Sequence, residues 1–369
     1  MTGTDALSVT VRMDLTDLPF LLEEYRRKFE ADLSAQDYQW VNNISLVRNS
    51  SSLTESLDQM VMEKFTSKDF KDLWLAIPEI IPWDTVKGFM YKETNGVIYP
   101  DIELKGFLES MKDKIISLHA LKTRHVYCAD EDHKAVFKSW NIYKCMYAEI
   151  DRDGLHYVLN DGKWYQVNKD FVSRTESDFK NIKVSDLQLP AYQGGGEGAY
   201  NAAVCAANPN QFFLLDDKNK LFHGGGHGQV EVCDMFSIKK QLIHVKMYGK
   251  SSVFSHLFAQ GFVSGQLLQI DADFRLKVKA KLKPPFDSLI SVDSKPTDKE
   301  FTIIYAVISE SSEPGLYMPF FSRVNLNNTA KVLRGFGYNV ELLKIEVAPS
   351  HSKNKICPKK YPRQRSASH

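Results

Sequence analysis

Between Gln229 and Gln260 the chain reads QVEVCDMFSIKKQLIHVKMYGKSSVFSHLFAQ, and its periodicity changes partway along. Two short apolar-rich runs, 230–236 and 241–248, flank Ser-Ile-Lys-Lys, the pattern of two strands joined as a hairpin. Strand alternation puts His244 and Lys246 on one face, and the preceding strand delivers Asp234. From Ser251 and Ser252 the spacing becomes helical, with His256 and Gln260 four apart on one face. An acid on one strand, a lysine on the next and a polar-faced helix behind them suit a metal-dependent hydrolytic site.

The rest of the chain sets the frame for that stretch. At 369 residues it predicts two domains, each able to bury a core. No apolar run nears the roughly 20 residues that span a bilayer, and the N-terminus lacks a signal-peptide pattern. Five scattered cysteines without a Cys-x-x-Cys pair fit a reducing, cytoplasmic setting. The net charge of +1 conceals an asymmetry: residues 1–190 hold 24 basic and 31 acidic side chains, and residues 191–369 hold 23 and 15. The second half, at +8, is the one suited to a polyanion.

In order, the sequence predicts a strand over 8–14, a helix over 18–33, a strand over 40–47, a helix from about 54, strands over 73–79 and 88–92, and a helix over 102–119. A β-meander follows over 143–150, 156–159 and 163–167, with Asp-Gly turns at 153–154 and 161–162. Its Tyr143, Tyr147, Tyr157, Trp164 and Tyr165 suit cross-strand packing better than base stacking. Gly194-Gly195-Gly196 marks a boundary between a mixed α/β domain, 1–190, and a second domain, 191–348. In the second, a helix over 197–207 and a strand over 211–216 precede the opening stretch. RLKVKAKLK at 275–283 reads as a strand with Arg275, Lys277, Lys279, Lys281 and Lys283 on one face. That face suits a phosphate backbone, or an edge guarded by lysines. A strand over 301–307, a helix over 328–336 and a strand over 339–347 complete the domain. The basic stretch 349–369 reads as a disordered tail.

The order helix, strand, strand, strand, helix between 194 and 269, with Glu197, Asp234, His244 and Lys246 placed on it, resembles the core of the PD-(D/E)xK nuclease superfamily. The resemblance implies an α+β chain with a restriction-endonuclease-like C-terminal core. It also implies Mg²⁺ or Mn²⁺ on Asp234 and Glu197, with Lys246 orienting the nucleophile or offsetting phosphate charge. His244 stands where that motif has an acid, so it is expected at the metal or in proton transfer, with Glu197, Glu231 or Asp216 replacing the missing carboxylate, or else the core binds without cutting. His256, Gln260 and the cations of 275–283 are the expected substrate contacts. Separately, Glu-x-x-Tyr-Asn at 197–201, Glu-Val-Cys-Asp at 231–234, Ile-His-Val-Lys at 243–246 and Ser-His-Leu-Phe-Ala-Gln-Gly at 255–261 resemble a sporadically distributed bacterial family of unknown function. Asp-Gly-Lys-Trp-Tyr at 161–165 and Pro-Phe-Phe-Ser-Arg-Val-Asn-Leu at 319–326 belong to the same set. Patchy distribution implies anti-phage or mobile-element defence.

Other motifs point nowhere as coherent. His223-Gly-Gly-Gly lacks the Gly-x-Ser-x-Gly of an esterase, and neither glycine run is a P-loop. His223, His227 and Cys233 offer three zinc-type ligands without a fourth. The expected function is cleavage of DNA or RNA phosphodiesters. The alternative is a non-catalytic nucleic-acid- or protein-binding component of a multi-gene defence system, with homo-oligomers left open.

Overall fold

The computed structural model describes residues 2–3, 7–8, 14–30, 43–48, 51–79, 86–93, 96–112, 115–129, 135–215, 221–222, 229–249, 251–313 and 315–349. Outside them fall the basic tail beyond 349, the His223 and His227 motif, Asp216 and most of the expected strand over 8–14.

The first half is built on an antiparallel sheet. Its strands are β1 (Ile44–Leu46), β2 (Leu73–Leu75), β6 (Met146–Arg152), β7 (Leu155–Asn160) and β8 (Lys163–Val167), in the order β1-β8-β7-β6-β2. Between β2 and β6 in the chain lie β3 (Gly88–Met90), β4 (His125–Ala129) and β5 (Ala135–Asn141), which form a smaller antiparallel sheet. The two Asp-Gly pairs do what their chemistry requires. Asp153 and Gly154 have φ of 52° and 73°, and Asp161 and Gly162 have 48° and 70°, so both hairpins turn through two left-handed residues. Helix α1 (Leu18–Glu30) precedes β1. Helix α2 (Ser51–Ser67) lays Leu57, Val61 and Phe65, each four apart, into the core. Helices α3 (Leu104–Met111) and α4 (Leu118–Thr123) follow β3.

The expected strand over 143–150 begins as a turn of helix, α5 (Ile142–Cys145), because the Asn141 side chain caps Lys144 N–H. Tyr147 and Trp164 are buried, and Tyr147 stacks on Trp74 at 4.2 Å, its partner in the β2–β6 register. The aromatics are mortar between strands rather than a face for bases.

Helix α6 (Lys169–Lys180) leads to the second sheet, whose order is β9 (Lys183–Val184), β14 (Asn339–Glu346), β13 (Thr302–Ser309), β12 (Gln241–Met247), β11 (Met235–Ser237) and β10 (Phe212–Leu214). β10, β11 and β12 run as an antiparallel meander, and β12, β13 and β14 are parallel. The parallel turn-over is made by α8 (Ser251–Ile270) between β12 and β13 and by α10 (Phe320–Gly335) between β13 and β14. Strand alternation divides the core. Ile303, Tyr305 and Val307 of β13 pack with Phe254, Phe258 and Leu333 on the side of α8 and α10. Ile304, Ala306 and Ile308 pack on the other side with Tyr200 and Val204 of α7 (Glu197–Ala207). Helix α8 lies tight on β13 because Gly261 and Gly265 face it. A Cβ at Gly261 would stand 2.6 Å from the Tyr305 ring.

Two expectations are corrected here. Residues 275–283 are not a strand: Ala272–Lys281 form helix α9, capped by the Asp271 side chain on Phe274 N–H. Phe274 and Val278 are buried four apart, whereas Leu276, which a strand would place beside them, is 52% exposed. Alternating lysines satisfied both periods, and the N-cap decided between them. The helix expected over 328–336 starts at Phe320, directly after Pro319.

The halves meet where α10 begins. Phe320 N–H donates to the buried Glu149 carboxylate at 2.8 Å, and Arg323 pairs with Glu176. Among the described residues no helix is long and apolar enough to cross a membrane.

Candidate functional site

Strand β11 stops pairing with β12 at Asp234, and the site is made at that divergence. Asp234 N–H donates to Ile243 O at 3.0 Å, the last ladder bond between the two strands. Beyond it the β12 edge still presents Val245 N–H and Met247 N–H, which need acceptors. Carboxylates supply them. Asp234 Oδ2 accepts from Val245 N–H at 2.7 Å, and Glu197 Oε1 accepts from Met247 N–H at 2.8 Å.

Glu197 reaches that edge from the first turn of α7. Gly194, Gly195 and Gly196 all have φ near +90°, a conformation that suits glycine, and they swing the chain into the helix. Gly196 N–H donates to the Tyr192 hydroxyl at 2.8 Å, which fixes the entry. The second Glu197 oxygen takes Lys246 Nζ at 2.8 Å, in a pair where both side chains are about a quarter exposed. One helical turn on, the fully buried Asn201 donates through Nδ2 to Asp234 Oδ1 at 3.1 Å, while its own Oδ1 has no partner among the described residues. Four residues from two strands and one helix thus converge: Glu197, Asn201, Asp234 and Lys246.

The electrostatics are uneven. Burial, first of all, pushes the Asp234 carboxyl up to about 7; Val245 N–H and Lys246 pull it down, and Glu231 and Glu197 push it further up. Glu231 is itself held from α8, where Gln260 Nε2 donates to Glu231 Oε2 at 2.8 Å. The expected Gln260 therefore does stand near the cluster, through Glu231.

His244 is placed differently from what its position in Ile-His-Val-Lys implies. It is fully buried opposite Tyr305 in the β12–β13 register, with ring centroids 6.0 Å apart. Neither ring nitrogen has a hydrogen-bond partner among the described residues, and burial lowers its pKa to about 3. A neutral ring inside the α8 packing layer is neither a proton carrier at neutral pH nor bonded to Asp234, Glu197 or Lys246. His256 is exposed on α8.

The cation face also dissolves. Arg275 is 7% exposed, and its guanidinium donates to Leu268 O and twice to Val292 O, which ties α9 to the loop before β13. Lys277 pairs with Asp273 one turn back at 2.7 Å. Lys279 and Lys281 lie in the last turn, where cations complement the helix dipole.

Glu197 and Asp234 are hard oxygen donors of the kind Mg²⁺ or Mn²⁺ takes, and each oxygen retains a lone pair beyond the one it uses. No three His, Cys, Asp or Glu side chains among the described residues are grouped to hold a metal. The donor set therefore fits a cation that keeps most of its water, and does not fit an all-protein cage. Asn201 is the functional candidate that residue chemistry alone passes over. Its sequence signals are its place in Glu-x-x-Tyr-Asn and the spacing of four from Glu197 on a short helix.

No curated protein and no solved structure matches this chain. One family model does, over residues 1–346, and the chain belongs to that family of unknown function, DUF6119.

Proposed function

We propose that the second half of the chain is a metal-dependent phosphodiesterase acting on DNA or RNA, in a setting of anti-phage or mobile-element defence. The observation that carries the reading is the convergence of Glu197, Asp234 and Lys246 where β11 and β12 diverge. The element sequence α7, β10, β11, β12, α8, β13 supports it, being the order of a restriction-endonuclease-like core.

In this reading Asp234 and Glu197 hold a hydrated Mg²⁺ or Mn²⁺, which when bound lowers the pKa of a water and offsets phosphate charge. The chain's own part is positioning. The Val245 and Met247 amides fix the two carboxylates against a rigid strand edge, and Asn201 orients Asp234 from behind. Glu197 holds the Lys246 ammonium beside the site, where it meets a phosphate oxygen or the attacking water.

The test is nicking of plasmid DNA and of labelled single-stranded RNA in Mg²⁺ and Mn²⁺. Cleavage by the wild type, lost at least 100-fold in Asp234→Asn and in Lys246→Ala with unchanged circular dichroism, supports the proposal. Cleavage that survives both substitutions overturns it.

One observation favours a second reading, a core that binds nucleic acid without cutting it. All four oxygens of Glu197 and Asp234 already accept a hydrogen bond from the chain, and the third carboxylate, Glu231, is tied to Gln260. Salt-sensitive nucleic-acid affinity with no cleavage in either metal would establish that reading instead.

A further inference from the structure

The first half of the chain holds a cavity of about 780 Å³ between α2, α5 and the β1–β8 edge, within the range of about 300–1,000 Å³ usual for small-molecule sites. Its floor is one cross-linked unit. The buried Asp58 accepts from Tyr143 Oη at 2.5 Å, from Trp164 Nε1 at 2.9 Å and from Lys122 Nζ at 3.0 Å. Asp58 is buried but Lys122 is 46% exposed, so the ion pair itself adds little stability, and what the three donors secure is the position of the wall. The rim carries Arg48, Lys163 and Lys144, with the carboxylates Glu55 and Asp161 among them. The β1–β8 register, carried on by Val47 N–H to Trp164 O, sets Arg48 beside Lys163, and neither has an ion-pair partner among the described residues. Two adjacent unpaired cations repel until an anion joins them. Lys144, held 3.5 Å from Asp161, is a third cation on the same rim. Leu46, 45% exposed, lines the same space as an apolar surface.

We propose that this cavity is a binding site for a nucleoside phosphate, with Arg48, Lys163 and Lys144 on the phosphate and Leu46 beside the base. The phosphate ester can belong to a free nucleotide or to the 5′ end of a strand. The site is independent of the Asp234 cluster and of the phosphodiesterase reading.

Titration calorimetry on the full chain tests it, with AMP, GMP, CMP, UMP and ATP, with adenosine, and with a short oligonucleotide carrying a 5′-phosphate or a 5′-hydroxyl. At least one mononucleotide binds saturably with Kd below about 1 mM, and adenosine binds at least tenfold more weakly than AMP or ATP. The double variant Arg48→Ala/Lys163→Ala loses at least tenfold in affinity with an unchanged Tm. Tighter binding of the 5′-phosphorylated strand than of any mononucleotide identifies a strand terminus as the source, and the reverse identifies a free nucleotide. Absence of saturable binding by every phosphorylated probe overturns the proposal. So does equal affinity for adenosine and AMP, or full affinity in the double variant.

Discussion

Asp58 and Asp234 are both buried aspartates, 5% and 9% exposed, and both are fully hydrogen-bonded. Their surroundings differ in charge. Asp58 faces an ammonium and two aromatic donors, so its negative charge is matched inside the protein. Asp234 faces two neutral donors, Val245 N–H and the Asn201 amide, with Glu231 and Glu197 nearby. One carboxylate is a finished cross-link. The other is held in shape yet short of positive charge, and that is why burial pushes it up to about 7. A carboxylate in that state gains most from an incoming cation, so geometric satisfaction and electrostatic satisfaction have to be judged separately.

Conversion of each to asparagine is the strongest way to break the contrast. Asp58→Asn sets an amide N–H₂ against Lys122 or against the Tyr143 and Trp164 donors, and the loss is about 3 kcal/mol in urea unfolding. Asp234→Asn has a ready accommodation, since Asn201 can turn its Oδ1, which has no partner among the described residues, toward the new amide; at pH 4 the change is within about 1 kcal/mol. The pH dependence gives the sign. Folding raises the Asp234 pKa from 3.8 to about 7, so the unfolded chain sheds this proton first, and the stability tied to this group is lost as pH rises through that window in metal-free buffer. Asp234→Asn lacks that slope, and its advantage over the wild type grows from pH 4 to pH 7. Equal destabilisation by the two substitutions would erase the distinction between them.

His244 sharpens the contrast from the opposite direction. Its pKa falls from 6.5 to about 3 on folding, so the unfolded chain takes up a proton that the core refuses. The stability tied to this residue is complete above pH 6.5 and declines as pH drops toward 3. Between pH 6.5 and pH 4 the decline is on the order of 3 kcal/mol. In His244→Leu that contribution is absent, so its stability relative to the wild type rises by this amount from pH 6.5 to pH 4, which urea titrations at stepped pH would measure. A difference independent of pH would mean that the ring is protonated in the folded chain and has a partner there.

The Lys246–Glu197 pair is about a quarter exposed to solvent, so its effects on stability and on chemistry separate. Lys246→Met leaves Tm within a few degrees, since a pair this exposed contributes about 1 kcal/mol or less. Cleavage, if Lys246 meets the phosphate, falls at least 100-fold. A large fall in Tm with intact cleavage would make the lysine a structural tie like Lys122.

Much of this was legible in the sequence wherever one local rule acts alone. The Asp-Gly turns fixed the meander, and the hairpin from 235 to 247 follows from its apolar runs. The convergence of Glu197, Asp234 and Lys246 follows from element order together with strand alternation. Asn201 escaped because its partner is 33 residues away and an asparagine on a short helix has no chemistry of its own. His244 misled because motif position and strand face are different properties. It shares a face with Lys246, yet at that depth the face is covered by α8, and only two residues nearer the strand end does it open. The stretch after Asp271 misled because a lysine at every second position can be drawn on either period.

That last stretch carries the smallest expected effect, and a sharp one. A strand with five cations on one face would contribute several phosphate contacts, and removing two of them would lower the salt slope of nucleic-acid binding by about two. In helix α9, Lys277 already has Asp273 as its partner, and Lys279 and Lys281 sit near the C-terminal carbonyls, on faces set roughly 100° apart per residue. Lys277 and Lys281 share a face and Lys279 lies on the opposite side, so the three form no single row for a backbone. Lys277→Ala/Lys279→Ala therefore leaves stability within about 0.5 kcal/mol and any salt slope unchanged, as read by fluorescence anisotropy across a salt series. A slope reduced by two would return these lysines to the binding surface and make α9, rather than the β11–β12 divergence, the place where the second half meets its polyanion.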